Sequence, residues 1–263
     1  MSEEFDKEIA KSLVEQTAGK AYDDVAHPSA KAIGTVLSFI PRTIRLWFSK
    51  WEKWIINGEY AIEETAELLK DKLNRIAPEK ITEPEPYVAV PAIQQLQYCF
   101  NSAELREMYA NLLASSMNED TKWSVHPSFV DIIKQLTPDE AKIIKYLYDK
   151  QTGLPLVSIR KEIKAKNGFV PIIDNYSNIG ELLCEEPENI LSYIDNLERL
   201  KIVYIPKDEY YLDDNLYTDV ENSNRIKELM CVKCEDGAEN KIKKGKLEIT
   251  EYGKAFASVC LKD

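Results

Sequence analysis

Pro78, Pro84, Pro86 and Pro91 fall within fourteen residues. Each proline locks φ, removes an amide donor and pushes the preceding residue toward extended geometry. With acidic residues between them, 77–91 reads as a stiff extended linker that cannot continue a helix. It divides the chain into an N-terminal helical region (1–76), a central helical region (92–136) and a C-terminal region (137–263). From Ala92 helical spacing resumes through Ile93, Leu96 and Phe100, then Leu105, Met108, Tyr109, Leu112 and Leu113. Helix starts are expected at Asn101 with Glu104, at Ser128 with Asp131, and at Thr137-Pro138-Asp139-Glu140, where cap, N1 proline and reciprocal glutamate all occur.

The C-terminal region has its own rhythm. A helix over Asp139–Tyr148 precedes the apolar Leu154-Pro155-Leu156-Val157, a second helix near Ser158–Ala165 and a third near Glu188–Leu200. Strands at Ile202–Ile205 and Lys246–Thr250 and a last helix from Glu251 complete it. Three helices and a two-stranded wing predict a winged helix-turn-helix. The expected class is mainly α: an N-terminal helical region with an amphipathic helix, a central helical domain, and a C-terminal winged-helix-like α+β domain.

One N-terminal segment is chemically unlike the rest. At about 100° per residue, Ile33, Val36, Leu37, Ile40, Ile44, Trp47, Phe48, Trp51, Trp54 and Ile55 share one helical face, opposite Lys31, Arg42, Arg45, Lys50 and Lys53. Against Glu52 alone these five cations leave the stretch basic, in a chain of net charge −11. A basic face opposite an aromatic one suits a helix lying in a membrane interface. The same face also suits packing against a core or a second subunit, with Pro41 dividing the run into two helices.

The overall balance, 34 Lys+Arg against 45 Asp+Glu, argues against a general nucleic-acid binder, because phosphates need cations. Lys241, Lys243, Lys244 and Lys246 form one short basic patch where a wing would lie, leaving a winged-helix nucleic-acid-binding regulator as the alternative function. The expected recognition helix, Pro187–Arg199, is acidic and favours protein docking over DNA. Nine glycines argue against nucleotide-binding α/β folds, and no phosphate-cradling loop, HExxH or G-x-S-x-G occurs. The two histidines, His27 and His126, both precede proline and read as turn residues. Five scattered cysteines read as reduced thiols. Of them only Cys231 and Cys234 have metal-knuckle spacing, without a second pair. No enzyme activity, cofactor, metal or small-molecule substrate is expected. The N-terminus lacks a secretory pattern and no apolar run reaches spanning length, so the expected location is cytoplasmic, with peripheral association at the inner membrane face through the tryptophan segment.

The central residues carry a family pattern. Pro86-Tyr87-Val88-Ala89-Val90-Pro91 leads into Ala103-Glu104-Leu105-Arg106-Glu107-Met108-Tyr109-Ala110-Asn111-Leu112-Leu113-Ala114, then Val125-His126-Pro127-Ser128-Phe129-Val130-Asp131 and Gln135-Leu136-Thr137-Pro138. These resemble the abortive-infection alpha (Abi-alpha) family of bacterial proteins, whose link is to phage defence. The positions that carry the resemblance are Glu104, Leu105, Arg106, Met108, Asn111, Leu112, Leu113, His126, Pro127 and Phe129. The family supplies no catalytic set, and His126-Pro127 reads as a turn before the next helix. The resemblance implies a non-enzymatic defence protein. The tryptophan segment gives it a membrane-interacting or oligomerising helix, and the C-terminal region a partner-docking module. A structural homo-oligomer is the third expectation.

Overall fold

The computed structural model describes residues 68–262, apart from 97, 100, 165–166 and 235–237. The tryptophan-bearing face, Ile33 to Ile55, lies outside the described residues. The proline-rich stretch is not an extended linker. Pro78–Lys80 forms a 3-10 turn, and helix α2 (Pro86–Leu96) follows α1 (68–74) with Pro91 inside it. Pro86 is harmless because the first helical residues need no amide partner. Pro91 costs a helical hydrogen bond, which burial of Val88, Ala89, Ala92, Ile93 and Leu96 along one stripe offsets.

Helix α3 (Ala103–Ser116) is capped by Ser102, not Asn101: the Ser102 hydroxyl accepts the Leu105 N–H at 3.2 Å. Helix α4 (Ser128–Lys134) has no hydroxyl cap. Helix α5 (Pro138–Lys150) has the full reciprocal box expected: Thr137 Oγ1 accepts Glu140 N–H at 3.2 Å, and Glu140 Oε2 accepts Thr137 N–H at 2.6 Å.

The class is α+β, with a curled four-stranded antiparallel sheet, and not mainly α with a winged helix-turn-helix. Strands β1 (Leu154–Ile163), β2 (Gly168–Tyr176), β3 (Val203–Tyr204) and β4 (Ala238–Ile249) run in the order β2-β1-β4-β3. The helix expected over Ser158–Ala165 does not form, because those residues continue β1. The expected two-stranded wing is the end of a much longer β4 with only two residues of β3 beside it. β1 pairs with β4 without interruption from Leu154↔Leu247 to Ile163↔Ala238. Leu156, Val157, Ser158 and Ile159 are all buried, so both faces of β1 are covered there. Register against β2 shifts around Ser158, where Ser158 Oγ accepts the Asn175 N–H at 3.0 Å. Asn175 has φ 56°, a conformation asparagine tolerates.

Between sheet strands lie α6 (Ile179–Leu183), α7 (Ile190–Arg199), α8 (Thr218–Glu221) and α9 (Asn224–Cys231), and α10 (Glu251–Cys260) closes the chain. α10 returns to pack on α3, so the last helix touches the central region and not only its neighbours in sequence. Its third residue, Gly253, permits close approach to the backbone just before β3: a Cβ there would collide with the Ile202 carbonyl oxygen and stand 3.0 Å from its carbon. Gly253→Ala is expected to cost about 1–3 kcal/mol from overpacking, read from the urea unfolding midpoint. An unchanged midpoint would mean that α10 shifts freely on Ile202.

Candidate functional site

The family-pattern residues divide between a buried seam and an exposed turn. On α3, Met108, Leu112 and Leu113 are buried, while Leu105, Arg106 and Glu104 are half-buried. Tyr109 is buried too and donates its hydroxyl to Val130 O at 3.2 Å, pinning α4 to α3. Burial pushes its phenol well above the ordinary tyrosine value, so it acts as a donor at any accessible pH. Buried Asn111 donates through Nδ2 to Cys260 O at 2.9 Å, and Ser115 Oγ donates to Val259 O at 3.3 Å. These are carbonyls that the last turn of α10 leaves without helical donors, so α3 side chains finish the end of α10.

The exposed turn is His126-Pro127-Ser128. His126 Nδ1 accepts the Ser128 N–H at 3.2 Å and lies 2.5 Å from Ser128 Oγ, which also bonds to the Tyr252 hydroxyl on α10. An Nδ1 that accepts that N–H must be unprotonated, which assigns the imidazole proton to Nε2. Histidine thereby replaces the missing hydroxyl cap of α4. Phe129 carries the contact inward, with its ring centroid 5.6 Å from Tyr252 and 5.3 Å, edge-on, from Phe256. Turn, cap and aromatic wedge join α4 to α10.

A second polar cluster was not foreseen. Asp139, only 5% exposed, accepts the Glu185 N–H at both carboxylate oxygens (3.0 Å each) and the Glu186 N–H at 3.1 Å. It also accepts from Lys142 Nζ (3.2 Å) and from Tyr193 OH (3.3 Å). Burial raises its carboxyl, but these donors outweigh burial and leave it below the usual aspartate value. Lys142 also reaches Glu185 at 2.9 Å and Glu104 at 3.7 Å, and the Glu185 bond leads the effects that hold its ammonium well above the usual lysine range. Beside it, Glu140 Oε1 accepts from Asn196 Nδ2 at 2.6 Å, tying α5 to α7. In sequence, Asp139 and Glu140 signal only a helix start; nothing local announces the loop at 185–186.

The basic patch is present on β4 but neutralised. Lys241 pairs with Glu162 (2.6 Å), Lys243 with Asp208 (2.6 Å), Lys244 with Asp214 (2.6 Å) and Glu221 (3.4 Å), and Lys246 with Glu209 and Glu248 (2.9 Å each). The acids come chiefly from the 208–221 segment, held over the sheet by fully buried Tyr217, whose hydroxyl donates to Gly245 O at 2.8 Å. A cavity of about 370 Å³ between them mixes Arg160, Lys207 and Lys243 with Asp174, Glu198 and Asp208. Cys231 is exposed, and Cys234 Sγ lies 3.1 Å from Asn240 Oδ1. Among the described residues no three His, Cys, Asp or Glu side chains converge as metal ligands.

At the C-terminal ends of α1, α3 and α10 opens a cleft of about 520 Å³, lined by Lys72, Arg75 and Lys262 with Ser115, Thr121, Ser124 and neighbouring residues. No helix among the described residues is long and apolar enough to cross a membrane.

No curated protein matches the chain. A solved structure of an uncharacterized protein from the hydrocarbon-degrading marine bacterium Alcanivorax borkumensis SK2 is similar at 18% identity. The match spans 55% of this chain and 96% of that one with a TM-score of 0.35, too loose a likeness to bear on fold or function. The family model for abortive infection alpha, by contrast, matches residues 57–260, from before α1 to the last turn of α10, and the chain belongs to that family.

Proposed function

We propose that this is a non-enzymatic abortive-infection protein whose effector is the tryptophan-rich segment at 31–56, acting on the inner membrane surface, with the body from α1 to α10 as its scaffold. Family membership supports a role related to abortive infection. The observation that carries the scaffold reading is the use made of the polar side chains. Asn111, Ser115, His126, Asp139 and Glu140 are spent on helix ends and backbone amides, which is what rigid positioning requires. The membrane reading draws on the basic-and-aromatic segment, where apolar burial and attraction to anionic lipid add.

Phage challenge of expressing cells tests this with a Trp47→Ser/Trp51→Ser/Trp54→Ser variant, scored for phage yield and host survival. Loss of protection is expected, together with a fall of more than about tenfold in dye leakage from anionic vesicles, since three indoles leave the apolar face. Full protection and unchanged leakage by the variant would overturn the reading. If light scattering showed the variant falling from an oligomer to a monomer with leakage unchanged, the segment would instead serve self-association.

A further inference from the structure

The cleft between the ends of α1, α3 and α10 differs from the other charged surfaces of the body. Lys72, Arg75 and Lys262 line it, and no carboxylate does among the described residues. Lys72 makes a long contact to Glu107 (3.4 Å), whereas Arg75 and Lys262 have no ion-pair partner among the described residues. Their place near helix C-termini explains their sign, because cations there offset the helix dipole. It does not explain why no acid among the described residues answers them, in a chain of net charge −11 whose β4 lysines are all paired. Of the hydroxyls around the same opening, Ser115 and Thr121 already donate to the Val259 and Ser115 carbonyls, which leaves Ser124 as the hydroxyl donor for a phosphate oxygen.

Trp123 stands at the rim, between the lining residues Thr121 and Ser124. It is 81% exposed, with Lys122 Nζ 5.0 Å from its ring. The nearest acids are engaged: Glu119 with Lys122 (2.6 Å) and Asp120 with Lys80 (2.5 Å). An indole left in water beside a basic cleft roomy enough for a lipid headgroup matches the layering of a bilayer surface, where tryptophan sits at headgroup depth and cations meet lipid phosphate. Screening confines the field of the acidic remainder to about 8–10 Å, so a local basic site survives it.

We infer that this cleft binds the phosphate of an anionic lipid headgroup with Trp123 entering the interface beside it, giving the body a membrane contact of its own. The inference extends the membrane reading above but is tested separately from it. The chain has four tryptophans, so the Trp47→Ser/Trp51→Ser/Trp54→Ser full-length protein retains Trp123 as its sole reporter. Vesicles of phosphatidylcholine with phosphatidylglycerol are expected to shift Trp123 emission to the blue and protect it from acrylamide, while phosphatidylcholine alone does neither. Adding Arg75→Gln and Lys262→Gln is expected to weaken vesicle affinity about 30-fold, from about 1 kcal/mol per cation at an anionic surface. Both residues are exposed, and Lys262→Gln alone, about fivefold weaker, serves if the double variant unfolds. Cosedimentation of the wild-type chain and its Arg75→Gln/Lys262→Gln variant gives a parallel reading. An unmoved Trp123 spectrum, equal affinity of the charge variants, or the same spectral change with inorganic phosphate alone would each overturn it. Failure of the N-terminal segment to cause leakage would leave the Trp123 signal in place.

Discussion

Asp139→Ala is expected to destabilise the body by about 3–5 kcal/mol, a large share of the roughly 5–15 kcal/mol that holds a domain folded. The carboxylate is nearly inaccessible and answers two backbone amides, an ammonium and a phenol. Alanine would strand the Glu185 and Glu186 N–H groups and leave Lys142 with weaker partners, and a buried polar group without a partner carries its full desolvation cost. The urea midpoint at neutral pH measures this; a change under about 1 kcal/mol would show that water replaces the carboxylate. The pH dependence has a definite sign. Because the folded-state value lies below the ordinary one, Asp139 contributes fully above about pH 4, the unfolded carboxylate range. Its contribution is lost as pH falls through the lowered folded value. The stability gap between wild type and Asp139→Asn should therefore hold from neutral pH down to about 4 and close in stronger acid. A gap that widened in acid would contradict the assignment.

Phe129→Ala should cost about 3–5 kcal/mol as well, by another route. The ring is 1% exposed and forms the middle of the stack from His126 through Tyr252 to Phe256. Removing it opens a cavity that the short α4 must collapse into. Since α4 starts on a histidine cap with no hydroxyl at its N-cap position, the His126–Ser128–Tyr252 contact should loosen with it. At about 2–4 °C per kcal/mol for a body of this size, the melting temperature should fall by about 6–20 °C, against a few degrees for Phe129→Leu. Similar melting of the two variants would show that the ring is not the wedge between α4 and α10.

What could be read from the chain was local. The Thr137–Glu140 box was legible because both partners lie within one turn, and the α3 stripe because burial repeats at helical spacing. Ser102 displaced Asn101 as a cap since either side chain can reach the third amide, and position alone does not choose. Within the helix expected at Ser158–Ala165, Arg160, Lys161, Glu162 and Lys164 are good helix formers. Their strand partners on β4 are far away in sequence, and pairing overrode propensity. Pro91 misled in the same way: its penalty is local, while the burial offsetting it is tertiary. Lys241–Lys246 looked like a basic island because Asp208, Glu209, Asp214 and Glu221 are remote in sequence, and Lys72, Arg75 and Lys262 were invisible as a group for the same reason. The winged-helix expectation failed with the Ser158–Ala165 helix, since it needed a helix where β1 runs.

The pairing of β1 with β4 also sets when the body can exist. β1 is made early, yet its inner edge finds no partner until Ala238–Ile249 has followed, and α3 keeps Asn111 and Ser115 unsatisfied until α10 arrives. Such long-range closure is slow and leaves a strand edge open meanwhile. A growing chain would thus keep an open strand edge and an unfinished α3–α10 seam until its last residues emerge, so the rate of synthesis and the supply of chaperones would govern how long that incomplete form persists in the cell.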